Sequence, residues 1–167
     1  MTRRERDNQT LTREQIRAML ESGSLDFSGY DLSRLQLADL DFSDSICWQT
    51  NFSSSRSQRT FFKGAFLSGA DFSETNLEGA VMTGADLTNA IFVNANLCGV
   101  DFSGAIQTLT DPIPDKPDLW ERRRLLETRL QYVVANITGA TFKGAKYDEN
   151  TNWGNISPLP EGLIKID

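Results

Sequence analysis

The side chains able to do chemistry are few, and their absences decide as much as their presence. The 167-residue chain has no histidine and only two cysteines, Cys47 and Cys98. Without imidazole there is no Ser-His-Asp relay, no histidine metal ligand and no switch near neutral pH, and two thiols alone cannot build a zinc site. The densest acidic cluster, Asp39, Asp41 and Asp44, has groups suited to acid/base work or calcium binding. Regularly spaced acids on a solvated face titrate normally, however, and the G-G-x-G-x-D spacing of calcium-loaded β-helices is missing. Arg122, Arg123 and Arg124 could hold a phosphate, but with Glu121 and Glu127 beside them they read as the solvated face of a helix. The expectation is no catalytic residue, no cofactor and no metal, hence not an enzyme.

Charge and hydropathy narrow the partners. Seventeen basic against 23 acidic residues leave a net charge of -6, the wrong sign for direct nucleic-acid binding. No run of about 18 apolar residues occurs and the first ten residues lack the apolar centre of a signal peptide, so the reading is cytoplasmic with no membrane span.

What could position any surface group is a repeat of five. From residue 25 to residue 104 the chain divides into 16 consecutive pentads centred on Phe27, Leu32, Leu37, Phe42, Cys47, Phe52, Ser57, Phe62, Leu67, Phe72, Leu77, Met82, Leu87, Phe92, Leu97 and Phe102. Two positions earlier sits a small residue, as at Ala65, Ala70, Ala80, Ala85, Ala90 and Ala95, and two positions later often a glycine, as at Gly64, Gly69, Gly79 and Gly84. Five matches neither the helical period of 3.6 nor the strand period of 2.0, so the chain must turn at every pentad. Four pentads then close a square coil of 20 residues.

The pentads A-D-L-T-N at 85–89, A-N-L-C-G at 95–99, A-D-F-S-E at 70–74 and T-N-L-E-G at 75–79 closely resemble the unit of the pentapeptide repeat family. The resemblance implies an all-β solenoid, a right-handed quadrilateral β-helix, here of about five coils, with the centre and the small residue inside. The tail from Tyr147 to Trp153 is similar to tails that follow such stacks in cyanobacteria, which implies a source of that kind.

Stacking every fourth pentad gives four inner columns. Face one holds Phe27, Cys47, Leu67 and Leu87; face two Leu32, Phe52, Phe72 and Phe92; face three Leu37, Ser57, Leu77 and Leu97; face four Phe42, Phe62, Met82 and Phe102. Phenylalanine concentrates on faces two and four, and Ser57 inside needs a hydrogen-bond partner. The organisation expected is a tail and capping helix over 1–24, repeats over 25–109, a lateral helical insertion over 110–134, resumed repeats over 135–149 and a C-terminal plug over 150–167. The capping helix is read from the T-x-x-Q box of Thr12 and Gln15, the staple pair Leu11 and Ile16, and Gly23. Residues 105–109 are expected to form face one of the fifth coil, followed by the pentads centred on Ile137, Phe142 and Tyr147 on faces two, three and four. The plug would use Trp153, Leu159, Leu163, Ile164 and Ile166.

Two surface features remain. The outward site before the centre is normally Asp or Asn, yet Ile46, Phe61, Phe66 and Val81 occupy it, with Trp48 beside them. These five form a candidate patch for a protein partner or for the inserted helix. Residues 25–109 carry four basic and ten acidic side chains, and Asp71, Asp86 and Asp101 are the candidate acidic surface. Functionally the chain reads as a non-catalytic interaction scaffold or regulator; the alternative implied by the resemblance is a DNA mimic that binds DNA gyrase.

Overall fold

The computed structural model describes residues 11–103, 137, 140–154, 156 and 158–167. The insertion expected over 110–134 and residues 105–109 lie outside them.

The square coil rests on a bridge at each face. Asp26, Ile46, Phe66 and Asp86 pair in parallel succession on face one, and the same step of 20 residues links Asp31, Asn51, Asp71 and Ile91 on face two, Gln36, Arg56, Asn76 and Asn96 on face three, and Asp41, Phe61, Val81 and Asp101 on face four. Each rung is held from both sides: the Phe27 N–H donates to the Ile46 carbonyl at 2.7 Å, and the Ile46 N–H to the Leu25 carbonyl at 2.8 Å. One pairing residue per face leaves almost no continuous strand. Among the described residues only β1, Lys146–Tyr147, and β2, Ile164–Lys165, are longer, and they pair in parallel.

Nearly every corner among the described residues is made the same way. The residue three after a centre donates its N–H back to the centre carbonyl, as Tyr30 does to Phe27 and Ala70 to Leu67. The residue between, two after the centre, has positive φ, the pattern of a type II turn. Glycine takes this place at Gly64 and Gly69, but Arg34, Gln49, Ser54 and six others hold it with φ between 53° and 63°, a conformation that strains a residue with a Cβ.

The core is a column of side chains on each wall. Phe52 stacks on Phe72 at 4.8 Å, Phe72 on Phe92 at 5.1 Å and Phe92 on Phe142 at 4.9 Å, all within 8° of parallel. Across the core, Phe62 of face four meets Phe52 and Phe72 edge to face at 5.5 Å. Parallel rings follow the rung spacing, and perpendicular rings fill the space between walls.

Most polar groups inside are satisfied, several by a recurrent device, while the Ser45 hydroxyl is buried without a partner. The hydroxyls of Thr50, Thr60, Thr75 and Thr151, at the small position, donate to the centre carbonyls of Phe27, Leu37, Phe52 and Leu97 in the coil above. Ser57 finds its partner in the Ser55 hydroxyl at 2.9 Å.

At the first coil, α1, Arg13–Glu21, has both halves of the capping box between Thr12 and Gln15. Leu11 and Ile16 join the core, and Gly23 ends the helix at φ 76°. Arg13 donates to the carbonyls of Gln36 and Ala38, which face the open edge of the first rung.

The fifth coil departs from the expected register. Thr141 pairs with Ile91, Lys146 with Asn96, and Asn152 with Asp101, which puts Phe142 on face two, Tyr147 on face three and Trp153 on face four. The Ile137 pentad therefore belongs on face one, one face earlier than expected. Between Tyr147 and Trp153 the step is six residues. Asp148 fills the irregularity, its carboxylate taking the Gly99 N–H at 3.0 Å in place of a backbone carbonyl. Trp153 thus closes a wall, stacking on Phe102 at 4.9 Å. Beyond it, Leu163 packs against the core while Leu159, Ile164 and Ile166 are exposed.

Candidate functional site

The outward side chains of the four walls are the surface on which function must be sought. At most outward sites an Asp or Asn oxygen accepts the N–H two residues on: Asp26 from Ser28, Asp31 from Ser33, Asn51 from Ser53, Asp71 from Ser73, Asp101 from Ser103. The acid in the repeat has local structural work, an Asx turn that leads the chain into its corner.

The acidic candidates do not form one row. Asp71 stands on face two, Asp86 on face one and Asp101 on face four, and Asp86 is 2% exposed. Its Oδ1 also takes the Thr88 hydroxyl at 2.6 Å. The Asp39, Asp41 and Asp44 group is likewise dispersed into separate tasks: Asp39 pairs with Arg59 at 2.8 Å, and Asp41 takes the Ser43 N–H. The Arg59 guanidinium holds the Asp39 carboxyl below its ordinary value. No group of three or more His, Cys, Asp or Glu side chains placed to hold a metal ion occurs among the described residues.

The apolar candidates split into two sets. Ile46 and Phe66 lie one above the other on face one, with Trp48 edge to face with Phe66 at 6.4 Å. Phe61 and Val81 lie one above the other on face four. The sets differ in exposure: Phe61 is 44% exposed, whereas Ile46 and Phe66 are buried at 7% and 0%. Ile91, on face two, is 37% exposed and completes the outward apolar side chains at the bridging positions.

A groove of about 540 Å³ lies between α1 and the corner of faces three and four, lined by Arg13, Arg17, Leu20, Asp39 and Asp41. Its cations are already engaged, Arg13 with backbone carbonyls and Arg17 with Glu21 at 2.7 Å, so neither guanidinium stands open to an anionic ligand. Sequence reasoning missed this groove, whose floor depends on the seating of α1. No helix among the described residues is long and apolar enough to cross a membrane.

Comparison with known proteins accords with this geometry. Nothing matches among curated protein sequences. A pentapeptide repeat protein from the Arabidopsis thaliana thylakoid lumen is 26% identical, with a TM-score of 0.55 over 83% of this chain and 73% of that one. Two cyanobacterial pentapeptide repeat proteins also match: one from Cyanothece 51142 at 22% identity, TM-score 0.36 and coverage of 75% and 65%, the other from Nostoc Pcc 7120 at 19%, 0.30 and 93% and 96%. The first similarity implies the right-handed quadrilateral β-helix. The family model for pentapeptide repeats matches residues 65–104 in eight copies, and that stretch of the chain is thus built on the pentapeptide repeat.

Proposed function

We propose that the protein is a non-catalytic scaffold that presents face four to another protein. The observation that supports this is Phe61, 44% exposed at a site where most pentads carry an Asp or Asn that closes its own turn. Phe61 takes no part in an Asx turn, and Val81 directly beneath it extends the apolar strip along the wall. A stack of short turns and ring columns holds such a strip flat, so little ordering opposes docking. Lys63 and Asp41 border the strip with opposite charges, a polar rim around an apolar centre.

The test compares two substitutions of equal character on different walls. Phe61→Asp and Ile91→Asp each place a carboxylate at an exposed outward site. A partner captured from native lysate should be retained by Ile91→Asp and lost by Phe61→Asp. Equal capture by both variants overturns the assignment to face four.

A further inference from the structure

Arg13 stands in for a strand. From rung to rung, the carbonyls just before and just after a centre take two N–H groups from the coil above, as Arg56 and Gln58 do from Leu37 and Asp39 at 2.8 Å and 3.1 Å. The first coil has no coil above it. On face three the Arg13 guanidinium serves both carbonyls of that edge, donating from two nitrogens to Gln36 and Ala38. A planar fork of N–H donors therefore matches the acceptor spacing of one open rung.

The equivalent pair on face four is open. Asp41 and Ser43 follow Gln36 and Ala38 by one pentad, and among the described residues no donor reaches their carbonyls. Both residues line the groove of about 540 Å³ beside the end of α1. Leu20, Leu25 and Leu40 supply its apolar lining, against which the methylene stem of a long cationic side chain can lie. One oxygen of the Asp41 carboxylate accepts the Ser43 N–H at 2.9 Å, and a carboxylate has acceptor capacity to spare for a ligand. The other acids of the groove are matched within the chain, Asp39 by Arg59 at 2.8 Å and Glu21 by Arg17 at 2.7 Å. The last turn of α1 carries no basic side chain, so the negative end of the helix dipole adds to the field of Asp41.

We propose that this groove binds a guanidinium group, the head of an arginine side chain on a protein partner, through the Asp41 and Ser43 carbonyls and the Asp41 carboxylate. Arginine suits the site better than lysine because two fixed carbonyls call for two donors held in one plane, which an ammonium does not offer. A side chain suits it better than free arginine because Arg13 and Arg17 are both engaged, and neither is left to take an α-carboxylate. Asp41 pairs with Phe61 along face four; drawing the arginine from a protein docked there rests on face four being the docking wall.

Carbonyl-carbon NMR shifts of the full chain, titrated with the blocked peptide acetyl-Gly-Arg-Gly-amide, test this. Saturating shifts are expected at Asp41 and Ser43, with an affinity about tenfold above that of the Lys peptide, since the charge-assisted bidentate contact is the stronger one. Asp41→Asn keeps an acceptor for the corner, as Asn51 and Asn76 do at theirs, and should weaken binding by about tenfold, as expected for loss of a hydrogen bond to a charged group. Asp71→Asn, on face two, should leave it unchanged. Absence of shifts at the two carbonyls, equal affinity for the two peptides, or full affinity in Asp41→Asn each overturns the proposal. Tighter binding of free arginine than of the blocked peptide overturns it too, by giving the site to a small molecule. The titration needs no partner and the capture through Phe61 needs no peptide, so failure of the site and failure of the docking wall are read separately.

Discussion

Replacing Phe72 by Ala removes the middle ring of the face-two column. Phe72 is fully buried, stacked on Phe52 at 4.8 Å and on Phe92 at 5.1 Å, and edge to face with Phe62 at 5.5 Å. A phenylalanine buries on the order of 150 Å² of apolar surface, which at about 25 cal/mol per Å² is worth roughly 3.8 kcal/mol. The rings above and below are held by rung hydrogen bonds, the Phe52 N–H to the Asp71 carbonyl and the Phe92 N–H to the Thr141 carbonyl, both at 2.7 Å, so the walls cannot close over the vacancy. Retained cavity volume and lost ring contacts place the expected loss at the upper end of about 3 to 5 kcal/mol. Urea denaturation followed by circular dichroism measures it; with a slope of about 2 kcal/mol per M, the midpoint falls by roughly 2 M. Ile91→Ala, outward and 37% exposed, is the control, with a loss of about 1 kcal/mol or less. A Phe72→Ala loss below about 1 kcal/mol would refute the column packing, because only a surface site gives so small a change.

Ser45 is fully buried with its hydroxyl unpartnered, above Ala65 and Ala85 in the same column of small residues; Ser45→Ala should raise stability by about 1 kcal/mol, whereas Ser55→Ala, which strips Ser57 of its partner, should lower it by about 1 to 3 kcal/mol. Both are read from denaturation midpoints. Arg34 holds φ 59°, and Arg34→Gly should stabilise by about 0.5 to 1 kcal/mol as relief of left-handed strain exceeds the added chain entropy; a lower melting temperature would contradict this. The Asp148 carboxyl lies below its ordinary value through the Asn150 side-chain amide, with the Gly99 N–H and the Thr151 hydroxyl adding to the effect. A depressed native pKa gives stability that is present above the ordinary carboxylate range and lost as pH falls through the native value. Asp148→Asn should therefore narrow the gap between melting temperatures at neutral and strongly acid pH, and an unchanged gap counts against the carboxylate's role.

The walls were readable in sequence because a period that repeats without insertion leaves only one way to stack. Phe52, Phe72 and Phe92 fall in one column by position alone, and the helix start at Thr12 follows from a local box. Ser57 could be flagged as needing a partner but not given one, since Ser55 becomes that partner only when both point inward. The fifth coil escaped for a related reason. Once the interval between rungs departs from 20 residues, counting no longer assigns faces, and the assignment of Phe142 rests on its ring lying against Phe92. Six residues from Tyr147 to Trp153 shift the count again, and Asp148 hides the shift by imitating a backbone acceptor. The two halves of the apolar patch looked alike in sequence because outward position is set by period, whereas exposure is set by whatever lies beyond the wall.

The long interval before the fifth coil also bears on the order in which the walls assemble. Rungs through the fourth coil join residues 20 apart, while Ile91 must find Thr141 at a separation of 50. Loop closure across the longer separation costs roughly 0.8 kcal/mol more, and each coil contacts only its neighbours, so growth spreads from wherever a pair of coils first forms. Early growth therefore favours the uninterrupted coils around Phe52 and Phe72, and the rung through Phe142 is added late. Until it is, Phe92 and Phe102 end the stack with their rings uncovered, which makes the edge below them the site most open to mispairing with another nascent chain.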